Sequence, residues 1–220
     1  MQLPIAVLSG DLVDSTEYSS EAVDRAIDRI QRIAEDHETS TFTSPVKFTR
    51  FRGDGWQFAV GYVPEALRLA VRCISVLKGS VDLPHTRIAI GIGIADSMGT
   101  TSLADAHGSA FTVSGQALDW LSKTNKRLTI AGQASGVTAL HQIATEALML
   151  RINKWTREQS EAATLFLRNP KISGKEIAET LGITPQAVSA RLTGAEAQDV
   201  GELLTSWEEE FQLYPEQTND

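Results

Sequence analysis

Two aspartates stand where a folded sheet would bring carboxylates together: Asp11 in LSGDLVDST and Asp54 in RFRGDGWQFAVG. Two carboxylates held close repel each other, which raises the pKa of one. A hard divalent cation removes that cost, and Mg²⁺ is typically held by one or two protein carboxylates together with phosphate oxygens and water. Asp11 and Asp54 are therefore the candidate ligands of a Mg (or Mn) ion, and paired ions of this kind can support in-line attack at phosphorus. The segment after Asp11 offers backbone N–H groups from Leu12 onward and the hydroxyls of Ser15 and Thr16, a set suited to phosphate oxygens near a helix start. Arg50 and Arg52 alternate onto one face of the strand before the Gly-Asp-Gly turn and are candidates to meet a base or a triphosphate. Lys123, Lys126 and Arg127, after a later helix, are further candidates for the triphosphate. Each has a plainer alternative. Asp-Gly is ordinary turn chemistry, a strand-end Asp often caps a helix, and basic residues at a helix end satisfy its last carbonyls. Asp14 is read as a cap rather than a third ligand.

These residues need elements to hold them. Leu3 to Leu12 is a short apolar run like a buried sheet strand. From Ser20, apolar Val23, Ile27, Ile30 and Ala34 recur at steps of three and four, the mark of an amphipathic helix. Extended stretches flank Gly53-Asp54-Gly55 and predict a hairpin. Pro64 opens a second helix. TRIAIGIGIA reads as a further strand, Gly108 to Lys123 as a helix, RLTIAG as a strand and Val137 to Asn153 as a connecting helix. The order β-α-β-β-α-β-α-β predicts an α/β (α+β) fold of the split βαβ, ferredoxin-like kind: a mixed sheet with helices on one face. In that sheet the first strand and the hairpin are neighbours, so Asp11 and Asp54 converge.

After about Trp155 the strand-like runs stop, and the boundary is placed at residue 152. Residues 1–152 would form the nucleotide- and metal-binding domain and residues 153–220 a small all-α domain. Thr156 can cap one helix, and Ser173 with Glu176 makes a capping box for the next. KEIAETLGITPQAVSARL has helix-turn-helix spacing: small Ala178 for close approach, Gly182 for a left-handed turn, and Ile177, Leu181, Val188 and Leu192 for the shared apolar face. A DNA-reading second helix would present Thr184, Gln186, Ser189 and Arg191. The alternative use of such a unit is dimerisation or protein contact. From residue 151 onward there are 7 basic against 12 acidic residues, so a monomer would hold few phosphates and DNA binding calls for a homodimer.

Composition sets outer limits. With 20 Lys+Arg against 28 Asp+Glu the net charge is −8, which argues against a diffuse polyanion binder. The single cysteine, Cys73, excludes an internal disulfide framework and fits a reducing cytoplasm. No apolar run approaches the ~20 residues of a membrane span, and Asp11 interrupts what would be the apolar core of a signal peptide. A cytoplasmic location is expected. Trp56 and Trp120 are read as core residues, with stacking on a base as an alternative for Trp56. Cys73 is read as an inert core thiol, and His107 as a solvated loop residue. Phe211, Leu213 and Tyr214 of the C-terminal segment belong to a solvated end or dock on a dimer partner.

LSGDLVDST followed by RFRGDGWQFAVG resembles the two metal-binding segments of class III nucleotidyl cyclases. RIAIGIGIA followed by GSAFTVSGQAL resembles that family's later strand and catalytic helix, and GGDEF-type palm domains share this sheet. The whole chain is more similar still to the SatD family, small bacterial proteins that join such a domain to a C-terminal helix-turn-helix. That likeness runs through GDLVDS, GDGWQ, RIAIGIGIA, GSAF and KWTREQ. It implies Asp11 and Asp54 as metal ligands and Arg50 at the place of a base-selecting lysine. It also implies that Thr112 and Gln116 stand where cyclases carry the asparagine and arginine that stabilise the transition state. Loss of that arginine would cost orders of magnitude in rate. Where SatD-like chains read GDEFQ this chain reads GDGWQ, one carboxylate fewer.

The expectation is a nucleotide-responsive DNA-binding regulator whose cyclase-like domain binds an NTP or cyclic nucleotide with Mg²⁺ and is catalytically weak or inactive. The alternatives are an active nucleotidyl cyclase or oligonucleotide synthase with an accessory helix-turn-helix, and an inert partner-binding protein.

Overall fold

The structure is a computed structural model that describes residues 4–41, 47–51, 53–132 and 136–212; side chains of residues 37–41 and 212 are not described. Arg52, Leu213 and Tyr214 lie outside the described residues. Five strands form one mixed sheet: β1 (Ile5–Leu12), β2 (Phe48–Phe51), β3 (Gly55–Val60), β4 (Thr86–Gly93) and β5 (Leu128–Gly132), in the order β2-β3-β1-β4-β5. β1 pairs antiparallel with both β3 and β4, β2 pairs antiparallel with β3, and β4 pairs parallel with β5. The connections are α1 (Ser20–Thr41) between β1 and β2, α2 (Ala66–Lys78) between β3 and β4, and α3 (Ser109–Leu121) between β4 and β5. The first four strands with α1 and α2 make the expected split βαβ sheet, and β5 extends it by a parallel crossover. The fold is mixed α/β.

Strand alternation sorts the core. Ala6, Leu8, Leu12, Trp56, Phe58, Val60, Ile88, Ile90 and Ile92 share one buried cluster with Ile27 and Ile30 of α1 and Leu67, Cys73 and Leu77 of α2. The intervening residues face the other way, and α3 lies there: Val7 and Ala59 pack with Ala110, and Ala89 packs with Ala117 and Leu121. The expectation of helices on one face is thus corrected. The physical reason is side-chain size, because the small residues Ala89 and Gly91 let a helix backbone lie close, a Cβ built on Gly91 standing 2.5 Å from the Ala110 carbonyl oxygen. Ser9 Oγ donates to Ser114 Oγ (2.9 Å) across this interface. Trp120 is a second correction. It sits on the outer side of α3, 46% exposed, with the Lys126 ammonium 5.2 Å from its ring centroid.

The rest of the chain is helical: α4 (Ala139–Ile152), α5 (Arg157–Arg168), α6 (Gly174–Leu181), α7 (Pro185–Ala195) and α8 (Ala197–Gln212). Trp155, Ala163, Leu167, Ala195, Val200, Leu204 and Trp207 join the same buried cluster as α2 and the sheet. Polar ties run alongside. Arg68 of α2 donates to both carboxylate oxygens of Glu208 on α8 (2.6 and 2.9 Å), and Asp36 of α1 accepts from Arg72 of α2 (3.3 Å) and Arg168 of α5 (3.1 Å). Burial pushes the Cys73 thiol up to about 12, as expected of a core cysteine. Among the described residues no helix is long and apolar enough to cross a membrane.

At the start of α4 the Thr138 N–H donates to Nδ1 of His141 (3.0 Å), and the ring packs edge-on against Trp207 with centroids 5.1 Å apart. Accepting at Nδ1 suits the neutral ring, and burial pushes this imidazole below its ordinary value, a little offset by the charge of Glu210. A depressed histidine pKa contributes stability that is present above the unfolded value, about 6.5, and is lost as pH falls through the folded one. Urea unfolding is expected to show lower stability at pH 5 than at pH 7, with His141→Gln flattening that dependence. An unchanged dependence in the variant would count against this account.

Candidate functional site

Asp11 and Asp54 meet at one end of the sheet. β1 and β2 run toward that end, so the last turn of β1 and the tip of the β2–β3 hairpin lie side by side. The Leu12 N–H donates to the Asp54 carbonyl (3.2 Å), and Ser15 Oγ donates to Asp54 Oδ2 (2.7 Å). Gly10 stands opposite Trp56 in the pairing of β1 with β3. A Cβ on Gly10 would lie 2.3 Å from Trp56 Cζ2 and 2.8 Å from the Arg87 carbonyl oxygen, so only glycine admits the indole. Trp56 Nε1 donates to Thr86 Oγ1 (3.2 Å), and that hydroxyl donates to the Asp11 carbonyl (2.7 Å). The chain Trp56–Thr86–Asp11 ties the carboxylate-bearing end of β1 to the core. Trp56 is 1% exposed and has no free face for a base.

The residue that sequence reasoning missed is Arg87. It stands directly opposite Asp11 in the β1–β4 pairing, and its Nε donates to Asp11 Oδ1 (2.5 Å). Burial nevertheless raises the Asp11 pKa above its ordinary value; Arg87 opposes that rise, the charge of Asp54 adds to it, and Arg127 lowers it slightly. Arg127 also acts on two other groups at this end. The Lys78 ammonium is held below its usual value by burial and then by Arg127, and the His85 ring by partial burial, then Lys78, then Arg127. Arg87 and Arg127 thus bring positive charge to the two carboxylates, with Lys78 and the neutral His85 ring next to Arg127. Crowding of both signs is what a site for a phosphate with its cation requires.

Arg87→Gln is expected to destabilise the protein by about 1–2 kcal/mol at pH 7, since it removes a charged hydrogen bond that is only partly open to water. The loss should shrink as pH falls and Asp11 becomes protonated in both proteins. A difference in unfolding free energy that stays constant from pH 7 to pH 4 would argue that Arg87 acts by packing alone.

Other expected site residues are placed as follows. Leu12 is buried in the core and its N–H is taken by Asp54, so it offers nothing to a phosphate. Ser15 holds Asp54, and Thr16 is exposed beside it. Asp14 has a left-handed backbone (φ 52°) and makes no side-chain cap bond, which corrects its reading as a cap; the turn closes through Glu17 N–H to the Asp14 carbonyl instead. Arg50 is directed to α1, donating to Asp24 Oδ1 (2.7 Å) and to the Gly53 carbonyl (2.5 Å). Lys126 pairs with Glu146 of α4, and Lys123 is exposed past the end of α3. Thr112 and Gln116 are exposed on α3 and bring no charge to the carboxylates; the Thr112 hydroxyl donates to the Gly108 carbonyl (3.2 Å).

Among the described residues no group of three or more His, Cys, Asp or Glu gathers to hold a metal ion. The donor set is the two carboxylates, each with one oxygen engaged, Asp11 Oδ1 by Arg87 and Asp54 Oδ2 by Ser15. One oxygen of each remains for a cation. That fits Mg²⁺, which uses one or two carboxylates and completes its shell with phosphate and water, and does not fit an all-protein cage.

In the C-terminal segment Ser173 and Glu176 form the expected capping box (Glu176 N–H to Ser173 Oγ 3.2 Å, Ser173 N–H to Glu176 Oε2 2.8 Å). Gly182 ends α6 with φ 65°, and Ile177, Ala178 and Val188 are buried between α6 and α7. Thr184 Oγ1 caps α7 by accepting from the Ala187 N–H (3.2 Å), and Gln186 and Ser189 are exposed. Arg191 is drawn back to Glu161 of α5 (2.8 Å).

No family model and no curated protein matches the chain. Solved structures similar to it include the active GGEEF domain of a diguanylate cyclase from Vibrio cholerae, 14% identical, with 59% of this chain and 82% of that one covered and a TM-score of 0.40. A bacterial light-regulated adenylyl cyclase is 18% identical, with 59% of this chain and 43% of that one covered and a TM-score of 0.41.

Proposed function

We propose that this protein is a nucleotide-responsive DNA-binding regulator. Residues 1–152 bind a nucleotide through its phosphates at the sheet end, and residues 153–220 form a helix-turn-helix unit. The observation that carries the first half is the meeting of Asp11 and Asp54 beside Arg87 and Arg127. Asp11 and Asp54 would hold Mg²⁺ (or Mn²⁺), whose charge would offset the carboxylates and favour phosphate beside them. Arg87, Arg127 and Lys78 would take phosphate oxygens. Ser15 would keep Asp54 oriented. Thr112 and Gln116 supply no charge to a developing phosphoryl transition state, so the reading is binding rather than rapid turnover. Incubation of the protein with each NTP and Mn²⁺ is expected to yield no cyclic or linked product.

The second half rests on the exposed Gln186 and Ser189 at the start of α7, where a major-groove helix presents its side chains. With a net charge of −8, phosphate contacts alone would bind DNA weakly, and two copies would be required. The test is selection of duplexes from a random pool with and without Mg²⁺ and nucleotide. A selected duplex should be bound at least tenfold more weakly by Gln186→Ala with Ser189→Ala, the ~1–3 kcal/mol expected for one good base contact. No enrichment under either condition would sink this half of the proposal.

A further inference from the structure

The sequence of α4, ALHQIATEALMLRI, is apolar on two sides. Thr145, Leu148, Met149 and Ile152 are buried against the core, while Leu140 (71% exposed), Ile143 (62%) and Leu150 (69%) face solvent in line with exposed Ala147. A helix that is apolar all round belongs inside a protein. Single exposed leucines are common, but an unbroken apolar stripe marks an interaction surface.

We propose that this outer face of α4 is where two copies of the chain pair, with their α4 helices antiparallel across a two-fold axis. The spacing selects a second copy as the occupant. The intervals from Leu140 to Ile143 to Ala147 to Leu150 are three, four and three, the a/d seam of a helix pair. Read backwards they are the same. An antiparallel copy therefore seats Leu140 against the partner's Leu150 and Ile143 against the partner's Ala147, whose small side chain leaves room for isoleucine. The axis passes level with residue 145. Glu146 flanks it, ion-paired with Lys126, whose ammonium also covers the exposed Trp120 ring. Each Glu146–Lys126 pair then meets its twin, and the two signs alternate around the axis. A two-fold interface needs such self-complementary charge. A stable pair buries roughly 800 Å² on each copy. At 1.5 Å per residue α4 is ~21 Å long, so its seam supplies the centre of that area and Trp120 and Lys126 extend it.

The pairing does not rest on the nucleotide or DNA readings and can hold without them. Sedimentation of the 220-residue chain at ~50 µM is expected to give twice the 23.9 kDa chain mass. Ile143→Glu with Leu150→Glu should raise the dissociation constant at least 100-fold, giving monomers whose circular dichroism and melting are unchanged at low concentration. Orientation is read by cross-linking, for which the native Cys73 gives no background because it is buried. A disulfide needs Cα atoms within about 7 Å. Glu146→Cys lies beside its own mate and should cross-link on mild oxidation. Leu140→Cys lies ten residues, ~15 Å, from its mate along the pair and should not. A wild-type monomer, a dimer that survives the double glutamate substitution, or cross-linking through Leu140→Cys instead of Glu146→Cys would overturn the proposal. So would a chain ending at Gln212 that changes oligomeric state, because residues 213–220 would then be the occupant.

Discussion

Replacement of Asp11 and Asp54 together by alanine is expected to abolish the stabilisation that Mg²⁺ and a nucleotide confer on this protein. A ligand that binds only the folded chain at a hundred times its dissociation constant adds about 2.7 kcal/mol. For a protein of this size that is ~5–10 °C in the melting midpoint. ATP, GTP, CTP, UTP and the cyclic purine nucleotides, each with and without Mg²⁺, are the probes. In the wild type one of them should shift the midpoint, and only with metal. In the double variant the shift should vanish, because the proposed site would lose both carboxylates that would hold the metal. The variant without ligand should melt close to the wild type. Burial and Asp54 already disfavour the ionised Asp11, so its removal relieves a repulsion while costing the Arg87 bond. A full shift in the double variant would place the nucleotide elsewhere. A partial shift that no longer depends on Mg²⁺ would assign the binding to Arg87, Arg127 and Lys78 alone.

The second large effect is expected from a single methyl group. Gly10→Ala puts a carbon 2.3 Å from the Trp56 ring and 2.8 Å from the Arg87 carbonyl. Neither neighbour can retreat, since Trp56 is stacked on Phe58 with centroids 5.7 Å apart, and β4 is paired along its whole length with β1. Overpacking of a closed core costs typically 1–3 kcal/mol, occasionally more, and here the upper part of that range or beyond is expected. The displaced indole would also lose its bond to Thr86, and Thr86 holds the Asp11 carbonyl. Gly10→Ala should therefore melt at least ~5 °C lower than the wild type and weaken nucleotide binding as well. A variant with unchanged melting would mean that the strands part more easily than their pairing suggests.

The parts of this architecture that were legible in the sequence are those set by local periodicity and turn chemistry. The apolar run ending at Asp11, the alternation around Gly53-Asp54-Gly55 and the caps Thr156 and Ser173 each state their own conformation. Arg87 was illegible for a different reason. Its partner lies 76 residues away, and nothing in TRIAIGIGIA says which β1 residue it will oppose; that depends on the β1–β4 register. The placement of α3 was legible but unread. In β4 the isoleucines at 88, 90 and 92 alternate with Ala89, Gly91 and Gly93, large on one face and small on the other, and a second helix fits only over the small face. Likewise ALRLAVRCISVLK carries apolar residues around most of its circumference, and α2 proves buried over most of its surface because the helices after residue 152 cover what the sheet does not. Trp120 reads as core by type alone, and only its position on the outer side of α3 reveals otherwise.

The buried thiol gives this protein a built-in clock. A thiol-labelling reagent attacks the thiolate, and burial on the inner face of α2 both disfavours the ionised Cys73 sulfur and seals it from reagent. Modification must wait for the core to open, so the rate at which one mass unit of label appears counts those openings directly. A nucleotide that grips the folded sheet would slow the clock in proportion to its occupancy, with no dye, no heat and no other cysteine to confuse the reading.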